Sequence, residues 1–320
     1  MSVSFFSRLK YRLLSLAITV FLLSIAFGIN FSLTSLSNSL EKESKNSKDE
    51  FVQNVNRFIA LLRSVVVSSM NVVLKKIMLK LALLEKDNTL TKYNLSVTLK
   101  YLVVTAINTV LIPVVTNLDK NTWFTAGGLV VEVFFNLIIL WIFTPIFYIF
   151  NFSIIIKKIK IFLEKRKGNK SKLTQRELNK LYEGPSPDLA KGYSEILLIL
   201  AITVFYSPLL PSLPVIAFFG IILHFWIKKY VLLRMNKIPE TMGEDLALGL
   251  NTVLPIMTIL YGLGQYYFIR ELSDNNNYFI LPILIFTILF YLVPKDCLTA
   301  YWEGEISRDD DETYQKNKYK

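Results

Sequence analysis

Long apolar runs separated by short polar segments divide the chain into eight stretches. They lie near 13–34, 57–84, 95–117, 125–156, 193–212, 214–233, 246–270 and 277–297. Each reaches the ~20 residues that a helix needs to cross a ~30 Å hydrocarbon layer. The segments between them could not build a soluble core, and neither an internal repeat nor a low-complexity tract is visible. The pattern predicts an all-α, polytopic membrane helix bundle of about eight transmembrane helices. A basic N-terminus, 1–12, precedes the bundle and a tail, 298–320, follows it. The first core, LLSLAITVFLLSIAFGI, is long and has no clear Ala-x-Ala cleavage site, so it reads as a helix and not as a signal peptide.

Polar residues inside these stretches fall on helical faces. In the second, Arg57, Ser64, Ser68, Asn71 and Lys75 are spaced by 7, 4, 3 and 4 residues. The third carries Asn94, Thr98, Thr105 and Asn108 in the same manner, and the fourth Glu132, Asn136, Thr144, Tyr148 and Asn151. Lys75, Lys76 and Lys80 interrupt an otherwise apolar helix, where a lysine at the bilayer centre costs roughly 3 kcal/mol. Residues 57–84 would extend about 42 Å as a helix, longer than the hydrocarbon layer, so Lys80 is expected in water and Lys75 and Lys76 near a boundary. Two readings are open for the stripes. They glue the bundle through interhelical hydrogen bonds, or they line a hydrated path with the lysines at its mouth.

Composition agrees with the pattern. Hydrophobic residues make up 52% of 320 and charged residues 19%, with a mean hydropathy of +0.42, a balance that leaves too little charge for a water-facing surface. The net charge of +11 could suggest a nucleic-acid partner, but cationic loops beside anionic lipid account for it, and no nucleic acid is expected. Segment 157–182, KKIKIFLEKRKGNKSKLTQRELNKLY, holds ten Lys/Arg within the basic loop 157–191 and marks the cytoplasmic side. Counting spans from it places both termini in the cytoplasm. The plasma membrane is the expected location, with an endomembrane as the alternative.

Enzymatic chemistry finds no footing. Cys297 is the lone cysteine and His224 the lone histidine, and no nucleotide-binding glycine motif, Gly-x-Ser-x-Gly or histidine dyad is present. No cofactor or metal is expected, and His224 on its apolar helix reads as a packed residue.

The order of landmarks carries a resemblance. An asparagine in a long helix (Asn71) is followed by LALLEKDNTLTKY, with Leu83, Glu85 and Thr91, and then SVTLKYLVVTAINT, with Lys100 and Asn108. Next come GGLVVEVFFN, with Gly127, Gly128 and Glu132, and GYSEILLILAITVFYSPLLPSLP ahead of KKYVLLRMNKIP, with Pro211, Pro214 and Pro239. This series resembles the anoctamin–OSCA–TMC superfamily over roughly residues 10–297, with FYSPLLP and KKYVLL closest to the OSCA type of osmosensitive and mechanosensitive cation channel. The resemblance implies the pore half of that fold, a groove formed by the first five spans, and a homodimer. It departs from the calcium-activated anoctamins: Glu195 matches one calcium ligand, but Gly192, His224 and Lys228 stand where acids are expected, so a hard divalent ion is poorly served. Relatives also carry further helices and a cytoplasmic domain ahead of the helix matching 13–34, so the chain is expected to be truncated or to lack that sensor module.

The expected function is a mechanically or osmotically gated cation channel. Its groove-like pore would be lined by spans two to five through Ser64, Ser68, Asn71, Lys75, Lys76, Lys80, Thr98, Thr105, Asn108, Glu132, Asn136, Thr144 and Glu195. Its partners would be membrane lipids and permeant ions. A phospholipid scramblase using the same groove, or a non-conducting scaffold or accessory subunit, are the alternatives.

Overall fold

The computed structural model describes residues 5–46, 50–85, 90–125, 127–150, 152–167, 173–237, 250–251 and 253–273, with 281–282, 285–286 and 288–289. Every regular element among them is helical. The eighth apolar stretch, 277–297, and the tail fall largely outside the described residues, as does the start of the seventh.

The first two helices, α1 (Phe5–Asn46) and α2 (Glu50–Glu85), pack against each other along their lengths. The contact on α1 is a stripe of small and polar side chains, with Ser15, Ala26, Asn30 and Thr34 buried, while Leu13, Leu16, Phe21 and Phe31 point outward. Small residues let two backbones approach where lipid tails compete for every apolar contact. Outward leucines and phenylalanines have no place in water over such an area, and hydrocarbon suits them. Among the described residues six helices are long and apolar enough to cross a membrane: Leu13–Leu36, Arg57–Leu84, Lys92–Thr116, Leu129–Ile149, Leu189–Tyr206 and Leu213–Arg234.

Two of these crossings are not regular. The third begins as α3 (Leu90–Ala106), widens into a π turn at Ile107–Leu111 and ends as α4 (Ile112–Thr116). The fourth runs as α5 (Leu129–Ile138), a π turn at Ile139–Phe143 and α6 (Thr144–Ile149). A proline, Pro113 or Pro145, stands second after each wide turn, and its ring would collide with the carbonyl four residues earlier in a regular helix. The extra residue in the turn relieves that collision. It also turns three successive residues, Asn108, Thr109 and Val110, toward the interior.

Beyond the break at Phe150 lie α7 (Phe152–Lys167) and α8 (Gln175–Tyr182), the latter opened by a Thr174–Glu177 capping box. Helix α9 (Leu189–Tyr206) is the central element, with most of its residues buried, and Pro208 and Pro211 turn the chain into α10 (Leu213–Arg234). Helix α11 (Leu254–Leu272) packs along α9, with Gly264 against the Phe205 backbone. Trp123, Phe205, Tyr206, Tyr267 and Phe268 meet there in one aromatic cluster.

The fourth apolar stretch, expected over 125–156, forms its spanning helix over Leu129–Ile149 only. Gly128 marks its start because the chain folds back on itself there: a Cβ at Gly128 would lie 2.0 Å from the Thr122 carbonyl oxygen and 2.7 Å from that of Trp123. Gly128→Ala should therefore cost about 1–3 kcal/mol. Gly28→Ala on α1, where a Cβ meets nothing within 4 Å, should instead stabilise by about 1 kcal/mol. Thermal unfolding of both variants in the same detergent checks the pair.

Candidate functional site

A cavity of about 850 Å³ opens between α2 and α6 and is closed behind by α9 and α10. One wall comes from α2, with Ser68, Asn71, Lys75 and Lys76, and the facing wall from the second π turn and α6, with Phe143, Thr144 and Tyr148. Lys191 and Glu195 close the back. Asp188 caps the start of α9 by accepting from the Lys191 N–H at 2.9 Å, which fixes both residues on the cavity floor.

Glu195 is the hub. Its side chain is 2% exposed, a burial that an ionised carboxylate tolerates only with partners. Lys75 Nζ lies 3.3 Å from Oε1, and on Oε2 Tyr148 donates its hydroxyl at 2.7 Å while Lys228 Nζ lies at 3.4 Å. Lys228 also donates to the Gly192 carbonyl at 2.6 Å, and its ammonium comes so close to Gly192 that a Cβ there would lie 3.1 Å away. The absence of a side chain at 192 thus lets an α10 lysine reach an α9 carboxylate. Lys191 and Lys228 stand 4.8 and 5.1 Å from the centre of the Tyr148 ring, within cation–π range. Four ammonium groups (Lys75, Lys76, Lys191 and Lys228) face two carboxylates (Asp188 and Glu195), so this end of the cavity is net cationic.

Polar groups continue away from the cavity toward the 117–128 turn. Asn108 donates to Asn71 Oδ1 at 2.8 Å and to the Val67 carbonyl at 3.3 Å, and Asn71 donates to Thr109 at 3.4 Å. Further along, Arg63 pairs with Glu132, both fully buried. Arg63 Nη1 donates to the Gly127 carbonyl at 3.2 Å and Asn117 donates to Glu132 at 3.3 Å. The Gly-Gly–Glu spacing at 127, 128 and 132 now has a physical account: a bare turn offers its carbonyl to the same guanidinium that its helix neutralises. From Arg63 to Lys75 the polar file rises about 18 Å along α2.

Of the predicted residues, Ser68, Asn71, Lys75, Lys76, Thr144 and Glu195 meet at the cavity. Asn108, Glu132 and Asn136 are buried in the file leading away from it, and the Ser64 hydroxyl donates to the carbonyls of Ala60 and Glu132, both at 3.2 Å. Thr98 and Thr105 do not line the cavity, since their hydroxyls donate back to the Asn94 and Tyr101 carbonyls of their own helix. Lys80 is exposed and lies apart from the cavity.

Arg63, Asp188 and Lys191 escaped sequence reasoning. The signal for Arg63 was a basic residue in the apolar FIALLRSVVV and an acid in the apolar LVVEVFF, opposite charges that each need a partner inside the bilayer. His224 is occupied structurally. The Thr144 N–H reaches back to the Ile139 carbonyl and Pro145 has no N–H, so the Leu140 carbonyl lacks a helical donor, and His224 Nε2 donates to it at 2.9 Å. Among the described residues no three His, Cys, Asp or Glu side chains cluster closely enough to hold a metal ion.

No family model matches the chain, and no curated protein matches it in sequence.

Arg63→Ala should destabilise the bundle by about 3–5 kcal/mol, because it strands Glu132 in the interior. Arg63→Leu combined with Glu132→Leu should recover most of that loss. Unfolding of the single and double variants in detergent, read as a double-mutant cycle, tests the coupling.

Proposed function

We propose that the chain is a membrane ion channel of the anoctamin–OSCA–TMC kind, a mechanically or osmotically gated cation channel in a multi-pass bundle of about eight passes with both termini cytoplasmic. Its groove-like pore would run between α2, α3, α5–α6 and α9. One observation carries this reading. Buried polar atoms without a protein partner, namely Arg63 Nε, Glu132 Oε1, Asn108 Oδ1 and both amide atoms of Asn136, accompany the file between the 117–128 turn and the cavity. Each such atom costs about 1–3 kcal/mol when left dry, and water is the partner that buried polar groups take up. A file of them across an apolar bundle favours a hydrated route over simple helix glue.

In this reading the structure is the shut form. The Asn71–Asn108 and Arg63–Glu132 contacts close the route beyond the cavity, and Lys75, Lys76, Lys191 and Lys228 set the charge at its mouth. Opening separates α2 from α3 and α5, a two-state movement that tension in the bilayer would bias. The chemistry requires only a continuous passage and no covalent step.

A second reading, a phospholipid scramblase, is favoured by the side of the cavity. Val65, Val72, Phe143 and Phe147 line it and are themselves exposed, so its flank is open to acyl chains while its floor is cationic.

Pressure-clamp recording from purified protein in liposome patches should give stretch-evoked currents that empty liposomes lack. Lys76→Glu, which leaves the Lys75–Glu195 pair intact, should move the reversal potential in a salt gradient toward that of the cation. Silent patches combined with movement of labelled lipid between leaflets would replace the channel with the scramblase. Absence of both activities would leave a non-conducting scaffold.

A further inference from the structure

The face that helix α7 turns toward the rest of the protein carries charge. Lys157, Ile161 and Glu164, spaced by 4 and 3, are the half-buried positions turned toward the rest of the protein, and Lys157 donates to the Glu183 carbonyl at 3.0 Å. The face turned away carries Ile155, Ile156, Ile159, Phe162 and Leu163, spaced as one helical stripe and all exposed, with Phe162 at 65%. In water this is the reverse of what burial favours. The stripe cannot belong to a crossing, because Leu129–Ile149 already spans about 32 Å before the chain breaks at Phe150.

Lys158, Lys160, Lys165, Arg166 and Lys167 are exposed on this helix. Long basic side chains beside an apolar stripe hold their stems in hydrocarbon and their charge among headgroups. We propose that α7 is an interfacial anchor: it lies along the leaflet into which α6 emerges, with the Ile155–Leu163 stripe below the headgroups, and it binds anionic phospholipid through its flanking lysines. Charge complementarity selects this occupant, since a row of ammonium groups around an apolar strip matches an anionic leaflet. The inference needs only that the bundle sits in a bilayer, and stands apart from the channel reading.

The test uses the full chain carrying Cys297→Ser, with single cysteines introduced by Ile159→Cys, Leu163→Cys or Lys165→Cys and labelled with a polarity-sensitive fluorophore. Each protein is reconstituted in phosphatidylcholine vesicles with or without phosphatidylserine. Labels at 159 and 163 should be quenched by nitroxide-bearing lipids, more strongly with phosphatidylserine, whereas the label at 165 should be quenched by a water-soluble quencher. Lys158→Gln and Lys160→Gln should each lower the preference of the stripe for the anionic bilayer about fivefold, and salt should weaken it. Equal access of the aqueous quencher to 159, 163 and 165 would overturn the proposal. Shielding of 159 and 163 from both quenchers would also overturn it, because a protein surface would then cover the stripe. Identical quenching in both vesicle types would remove the anionic-lipid assignment.

Discussion

In hydrocarbon a backbone carbonyl has no water to fall back on, and leaving one without a donor costs several kcal/mol. Pro113 and Pro145 each delete a donor within a membrane crossing, and much of the interior is arranged around that deficit. The chain widens into a π turn ahead of each proline. At the second turn a side chain from a neighbouring helix then completes the hydrogen bonding, with His224 of α10 reaching the Leu140 carbonyl at 2.9 Å, and beside the first turn Tyr206 of α9 donates to the Val110 carbonyl at 2.7 Å. The two wide turns are thus tied to α9 and α10, the second of them through the carbonyl that its proline left open.

Charges obey the same constraint. Arg63 with Glu132 and Glu195 with its lysines and Tyr148 stand at opposite ends of one polar file, each carboxylate met by a cation from another helix. Buried pairs of this kind contribute little net stability, since their attraction mostly offsets the desolvation of both ions. What they do supply is selectivity of register: a helix displaced along its neighbour would leave two charges in lipid. They therefore fix how the bundle is assembled more than how strongly it holds.

How much of this could be read from the chain depends on range. Of the eight expected crossings, runs of apolar residues located the six spanning helices found among the described residues, because a span is a local property of some 20 residues. The polar stripes were visible too, and those on α2 and α5–α6 do converge. The stripe on α3 divided, since Thr98 and Thr105 bond within their own helix while Asn108 bonds across to α2. Helical periodicity assigns a face but not a bonding partner. Nor could it foresee the π turns, which add a residue and shift the face of everything beyond them. Glu195 and Lys228 were set near each other only by the family resemblance, and the bonds of Glu195 to Lys75 and Tyr148, 120 and 47 residues away, required the fold. The turned-out stripe on α7 is divided in the sequence, with Ile155 and Ile156 at the end of the expected fourth span and Ile159, Phe162 and Leu163 in the basic loop 157–191.

The bond between His224 and Leu140 has one more consequence. In a regular helix that carbonyl would belong to the Thr144 N–H, which here reaches one residue further back. The histidine thus holds the extra residue of the wide turn in place. Were Thr144 to reclaim the carbonyl, the segment beyond would rotate by about 100°, the angular step of one helical residue. Thr144 and Tyr148 would swing off the cavity wall together, and Glu195 would lose its hydroxyl. A single oxygen acceptor, shared between two competing donors, acts as the detent that sets where this whole segment points.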